Sequence, residues 1–200
     1  MDQKGLRAKL RRRRKSLSDK QQLLAQKQLS TLVSLLPEFL ASIHIALYFA
    51  QDGEINPMDI AKIAWSQGKT CYLPILDKNR NGYMYFLPYK PDMEMQNNKY
   101  GIPEPVLPDS CIRRAEDLDL VLVPLTGFDE EGRRMGMGGG YYDRTFAFKK
   151  KIHIQHKPLL MGIAHECQKV EVLSVNTWDL QLAGVATDQK IYNFIKPYSA

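Results

Sequence analysis

Cysteine is scarce in this chain. Cys71, Cys111 and Cys167 are the only three among 200 residues, and none sits in a C-x-x-C pair. That leaves no framework for a disulfide-stapled fold and no thiolate cage for a metal, and it predicts reduced thiols in the cytoplasm. Long apolar runs are missing as well. No stretch approaches the roughly 20 residues that span a bilayer, so no membrane partner is expected. The N-terminal charges have no apolar stretch behind them, which predicts no secretory signal. Repeats, low-complexity segments and linkers are also absent. A chain of this length suits one core, and the expectation is a single domain over 1–200.

What charge there is lies unevenly. The net charge is +6, yet residues 1–15 hold eight cations (Lys4, Arg7, Lys9, Arg11, Arg12, Arg13, Arg14, Lys15) against Asp2 alone. The other 185 residues carry 20 cations and 21 acids, a net −1. A nucleic-acid partner is therefore motivated by one segment only. A neutral body and the lack of a DNA or RNA module argue against it. Arg11 to Lys15 are expected to form a solvated helix face.

Periodicity and punctuation outline an α/β chain. Leu6 and Leu10 at i, i+4 predict a cationic helix over about 3–16. Ser18 with Gln21 reads as a capping box for a second helix through Leu36, halted by Pro37. Asn56 as cap, Pro57 at the first helical position and Gly68 near the end bound a third. Strands are expected at 42–50, 70–76, 82–88, 119–125, 158–164 and 184–187, with a helix opening near Tyr141. Strands alternating with helices predict a layered domain with a mostly parallel sheet flanked by helices. The stretch 88–117 reads as a long loop, and such loops in compact domains are often functional.

The most unusual stretch is "GFDEEGRRMGMGGGYYDRTF", residues 127–146, with four glycines in five positions. Glycines let the main chain approach phosphate oxygens, and free N–H groups at a helix start favour anions. Arg133 and Arg134 add charge-assisted donors, and Asp143 is placed to share Mg²⁺ with a phosphate. On composition alone, a mobile glycine turn is the competing reading. The loop has no G-K-[S/T], and Gly136-x-Gly138-x-x-Tyr141 lacks the third glycine of the dinucleotide fingerprint. His153 and His156 lack a third ligand. Cys167 beside His165 has no activating context, and a G-x-S-x-G elbow is missing.

"PLTGFDEEGRRMGMGGGYYDRTF" resembles the signature of the 5-formyltetrahydrofolate cyclo-ligase family, also called 5,10-methenyltetrahydrofolate synthetases. "LRAKLRRRRKSLS", "FAQDGEIN", "YGIPEP" and "VLSVNTWDLQLAGVATD" are similar to the family's other segments, in the expected order. The resemblance implies a ligase of folate one-carbon metabolism with a fold related to sugar-phosphate isomerases and CoA transferases. It implies ATP as co-substrate with Mg²⁺, and 5-formyltetrahydrofolate, with or without a polyglutamate tail, as the substrate that is cyclised. A cytoplasmic monomer is expected.

The resemblance also implies residue roles. Arg134, Met135, Gly136, Met137, Gly138, Gly139, Gly140, Tyr141 and Tyr142 would wrap the ATP phosphates, with Lys4 and Arg7 reaching in from the basic helix. Arg134 would steady charge during phosphoryl transfer. Asp143 and Asp179 match the magnesium positions, although a helix-start and a turn residue are the plain alternatives. Glu54 would accept from the pterin edge, with Tyr48, Phe49, Tyr100 and Tyr141 lining the folate pocket. Tyr48 and Phe49 are equally at home in a core. The chain departs from the pattern at Met137 and Gly139, where basic residues are common, and at Asn56, where threonine is common.

Overall fold

The computed structural model describes residues 2–151, 156–174 and 179–195. Helix α1 (Gln3–Lys15) starts where Asp2 accepts from the Gly5 amide. Helix α2 (Asp19–Ser34) carries the expected reciprocal box between Ser18 and Gln21, which satisfies two otherwise orphaned amide groups. Pro37 halts that helix and also opens a new one, α3 (Pro37–Leu40), because a ring that cannot continue a helix is well suited to begin one. Strand β1 (His44–Ala46) is shorter than expected. Helix α4 (Met58–Ser66) begins one residue late, with the Asn56 side chain accepting from the Met58 amide at 3.0 Å.

Strands β2 (Thr70–Leu76) and β3 (Met84–Tyr89) form an antiparallel pair. The supposed loop after them contains a small hairpin, β4 (Met95–Asn97) with β5 (Pro103–Pro105). Next come β6 (Leu120–Pro124), the two-residue strands β7 (Gly127–Phe128) and β8 (Arg134–Met135), and α5 (Tyr141–Thr145). The last elements are β9 (Leu159–Ile163), β10 (Gly184–Ala186) and β11 (Ile191–Asn193), the last of which has no counterpart in the expected strands.

The central sheet runs β11-β10-β9-β6-β1-β2-β3. The five inner strands are mutually parallel, and only the two edge strands run antiparallel. The alternation of side chains along a strand sorts the core into two layers. Ile45, Cys71, Leu73, Leu120, Leu122 and Met161 face α2 and α4, packed against Leu29, Val33, Ile60 and Ala64. Ala46, Tyr72, Val121, Val123 and Leu160 face the other way, onto Phe86, Phe128, Phe146 and Leu182. Both faces of the sheet are covered, which is why β6 reads as a continuous apolar run. Each fully buried Phe or Leu contributes about 1.5–3 kcal/mol. Among the described residues, no helix is long and apolar enough to cross a membrane.

Candidate active site

In a parallel sheet, chain leaves each strand on the same side, so the loops gather beyond the carboxyl ends. Here a cleft of about 1260 Å³ opens at that end. Tyr48 and Phe49 enter it after β1, Leu73, Pro74 and Leu76 from β2, and Val123 and Pro124 from β6. The β4–β5 hairpin supplies Asn98 and Glu104, and the glycine loop forms the opposite wall.

The glycine loop is held by arginines. Arg134 is buried, donates from Nε to the Leu180 carbonyl at 3.3 Å, and pairs through Nη2 with Asp143. Arg7, on α1, donates to the Gly136 carbonyl at 2.9 Å and leans against Gly138. Arg144 donates to the Gly82 carbonyl at 3.0 Å and also bonds the Gly139 carbonyl. With these carbonyls turned outward to the arginines, the amides of Gly138, Gly139 and Gly140 have no protein acceptor among the described residues. Gly140 sits at φ +66°, and a Cβ there would lie 2.8 Å from Arg144. Helix α5 has only five residues, so its dipole is small; the loop amides and the arginines carry the capacity for an anion.

The facing wall is built on a tight turn. Asp52 and Gly53 both have positive φ (55° and 76°), and the Glu54 amide bonds the Gln51 carbonyl at 2.9 Å. This is the primed type of turn that an Asp-Gly pair favours. Glu54 closes it from the other side by accepting from the Gln51 amide at 3.0 Å, and its side chain is 10% exposed. Burial pushes the Glu54 carboxyl up, while the Gln51 N–H and Arg14 pull it back. Tyr48 donates to the Ile55 carbonyl at 2.8 Å, and burial raises its hydroxyl well above the usual range. Phe49 stacks edge-on against Tyr89. At the mouth, the Tyr100 and Tyr141 hydroxyls lie 2.9 Å apart, which lowers the first and raises the second.

The structure brings nearly all of the anticipated residues to this one cleft: Arg7, Tyr48, Phe49, Glu54, Tyr100, Arg134 to Tyr142, Asp143 and Asp179 all line it. Lys4 is exposed and outside the lining, where Gln3 stands in its place. The helical wheel holds that signal, because residues 3, 7, 10 and 14 share one stripe at i, i+4, i+7 and i+11. Glu104 and Asn98 were not anticipated. Glu104 accepts from the Leu76 amide at 3.0 Å and from Asn98 at 2.9 Å, and nothing local in "YGIPEP" signals that.

One expectation is overturned in part. Arg12, Arg13 and Lys15 are exposed as expected, but Arg14 is fully buried, and Arg11, Arg14 and Lys15 all pair with Asp52. A carboxylate at a tight turn gathers cations that a sequence 37 or more positions away cannot reveal. The pairing holds Asp52 far below the usual carboxylate range.

His153 lies outside the described residues, as does Trp178 of the "NTWDLQ" segment. Among the described residues, no group of three or more His, Cys, Asp or Glu side chains is arranged to hold a metal. Burial raises the Cys167 thiol rather than activating it.

Comparison with known proteins identifies the family. The chain is 36% identical to an Escherichia coli 5-formyltetrahydrofolate cyclo-ligase over 185 residues, covering 92% of this chain and all of that one. It is 38% identical to the Haemophilus influenzae protein of the same name over 178 residues, or 88% and 92% of the two chains. The solved structure of an Aquifex aeolicus 5,10-methenyltetrahydrofolate synthetase superposes with a TM-score of 0.83 at 27% identity, over 100% of this chain and 96% of that one. A model of the 5-formyltetrahydrofolate cyclo-ligase family matches residues 1–188, and the chain belongs to that ligase family.

Proposed function

We propose that the protein converts 5-formyltetrahydrofolate and ATP into 5,10-methenyltetrahydrofolate, ADP and phosphate. The formyl group on nitrogen 5 is an amide, so its carbon is a poor electrophile and its oxygen a poor leaving group. Moving the γ-phosphoryl group of ATP onto that oxygen gives an iminium-like carbon and releases ADP. Nitrogen 10 then attacks the carbon, a nitrogen 10 proton is lost, and the carbon–oxygen bond breaks to release phosphate. No protein nucleophile is required; alignment and charge stabilisation suffice.

The residues divide the work. The amides of Gly138 to Gly140, with Met135 to Met137 and Tyr142 as the frame, would cradle the triphosphate beside Arg7. Arg134, already buried, needs no desolvation to stabilise the transferring group. Glu54 would accept from the pterin edge, and Phe49, Tyr48, Tyr100 and Tyr141 would flank its rings. Asp143 and Asp179 suit Mg²⁺, which binds proteins through one or two carboxylates and takes its other ligands from phosphates and water. Bound there, the ion would neutralise charge on the phosphates. The Arg134–Asp143 pair holds that carboxylate at the cleft wall.

One observation carries this reading: a glycine loop whose amides have no acceptor among the described residues shares one cleft with a buried carboxylate. The test follows the near-ultraviolet band of methenyltetrahydrofolate in mixtures with and without MgATP. ATP-dependent growth is expected, reduced roughly a hundredfold or more in Asp143→Ala. A flat trace from folded wild-type protein would sink the reading.

A further inference from the structure

The cation run of α1 contains a side chain that the reaction above does not use. Arg14 is completely buried. A guanidinium keeps its charge and has five donors, so burying one is costly unless acceptors surround it. Nε donates to the Asp52 carbonyl at 2.9 Å, and Nη1 to the Leu125 carbonyl at 3.1 Å. Nη2 meets Asp52 Oδ2 at 3.1 Å, Glu54 Oε1 at 3.5 Å and Met137 Sδ at 3.6 Å. These partners belong to the Glu54 turn, the exit of β6 and the glycine loop. Two turns earlier on the same helix, Arg7 bonds the loop again at Gly136.

We infer that Arg14 is a positioning residue for the cyclisation: it aims the Glu54 carboxylate into the cleft and fixes the spacing between the folate side and the phosphate loop. The inference rests on the cyclo-ligase reading. Met137, at a position where the family often places a cation, fits this role, since its sulfur also lies 3.4 Å from Thr126 Oγ1 and docks the loop onto the same junction. The charged and titratable groups facing Glu54 are Arg14 and Arg11 from α1, Asp52 from its own turn, and Tyr48 and Tyr142 from the cleft wall. His165 faces Arg14 from the far side, its imidazole held toward neutrality by burial. Arg14 is thus one of two cations that draw the Glu54 carboxyl back down against the effect of burial.

The test compares wild type with Arg14→Met and Arg14→Lys, first by thermal melting, then by KM for each substrate and the pH profile of kcat/KM for 5-formyltetrahydrofolate. Folded Arg14→Met should raise the folate KM roughly tenfold, more than the ATP KM. Its acid limb should move up by about one pH unit, because a carboxylate that loses a nearby cation holds its proton longer. Arg14→Lys keeps the charge but cannot span Asp52 and Leu125 together, so it should raise the folate KM with the limb near its wild-type place. Folded variants with both KM values and the limb unchanged would overturn the inference. If Arg14→Met does not fold, the KM split in Arg14→Lys decides. If wild type itself does not turn over, the cyclo-ligase reading fails instead. Amide exchange in Arg14→Lys then decides the tie: faster exchange at both 51–54 and 136–140 keeps it, and unchanged exchange ends it.

Discussion

Two arginine networks sit at opposite ends of the same sheet. At the carboxyl ends of the strands, Arg14 joins Asp52, Glu54 and Met137. Near the amino ends, Arg113 lies 2.8 Å from His44 Nε2 and donates to the Tyr72 hydroxyl at 3.3 Å. Asp119 there receives the Ile43 and His44 amides, each at 2.8 Å, and pairs with Lys157. The residue types are alike, yet none of the second set lines the cleft. The second network ties strand starts to one another, whereas the first holds a positive-φ turn and a glycine loop that face open space. An arginine network alone therefore does not mark a site. The mark is an arginine whose partners are themselves aimed into a cavity.

Substitutions can break this contrast. Gly140→Val forces a branched side chain to φ +66° and into Arg144, so it should lower kcat/KM about a hundredfold while the fold persists in a thermal melt. Glu54→Gln keeps the shape but removes the charge; about a tenfold rise in the folate KM is expected, with the ATP KM unchanged. At the other end, Arg113→Ala should cost about 1–3 kcal/mol of stability and leave both KM values alone. A change in KM there would end the distinction between the two networks.

The smallest effect concerns pH. Burial, then Arg113, lowers the His44 pKa, so the folded protein binds its proton less readily than the unfolded chain. Stability should decline as pH falls below about 6.5, and the decline ends below the folded value. His44→Gln should flatten that part of the melting profile by a degree or two, roughly.

What could be read in the sequence followed from local causes. The Ser18–Gln21 box, the strand at Thr70–Leu76 and the glycine loop each declare themselves through their own residues and neighbours. The parallel core was legible because buried inner strands are apolar on both faces, as β6 is. The β4–β5 hairpin was not: prolines at both ends of β5 and polar residues in β4 look like loop, and the pairing itself supplies the strand. The fate of Arg14 was hidden for a different reason. Which member of a run of four arginines is buried depends on where Asp52 folds back, and that is a tertiary fact.

Helix α1 also has a consequence for the order of assembly. It buries only Leu10 and Arg14, and its bonds reach partners 38, 111 and 129 positions away. Little of its own apolar surface can nucleate docking, and closing such long loops is slow. The sheet and its two layers can therefore form before the helix is clasped. Competence would then arrive last, as a separate step in which a completed body receives its first segment.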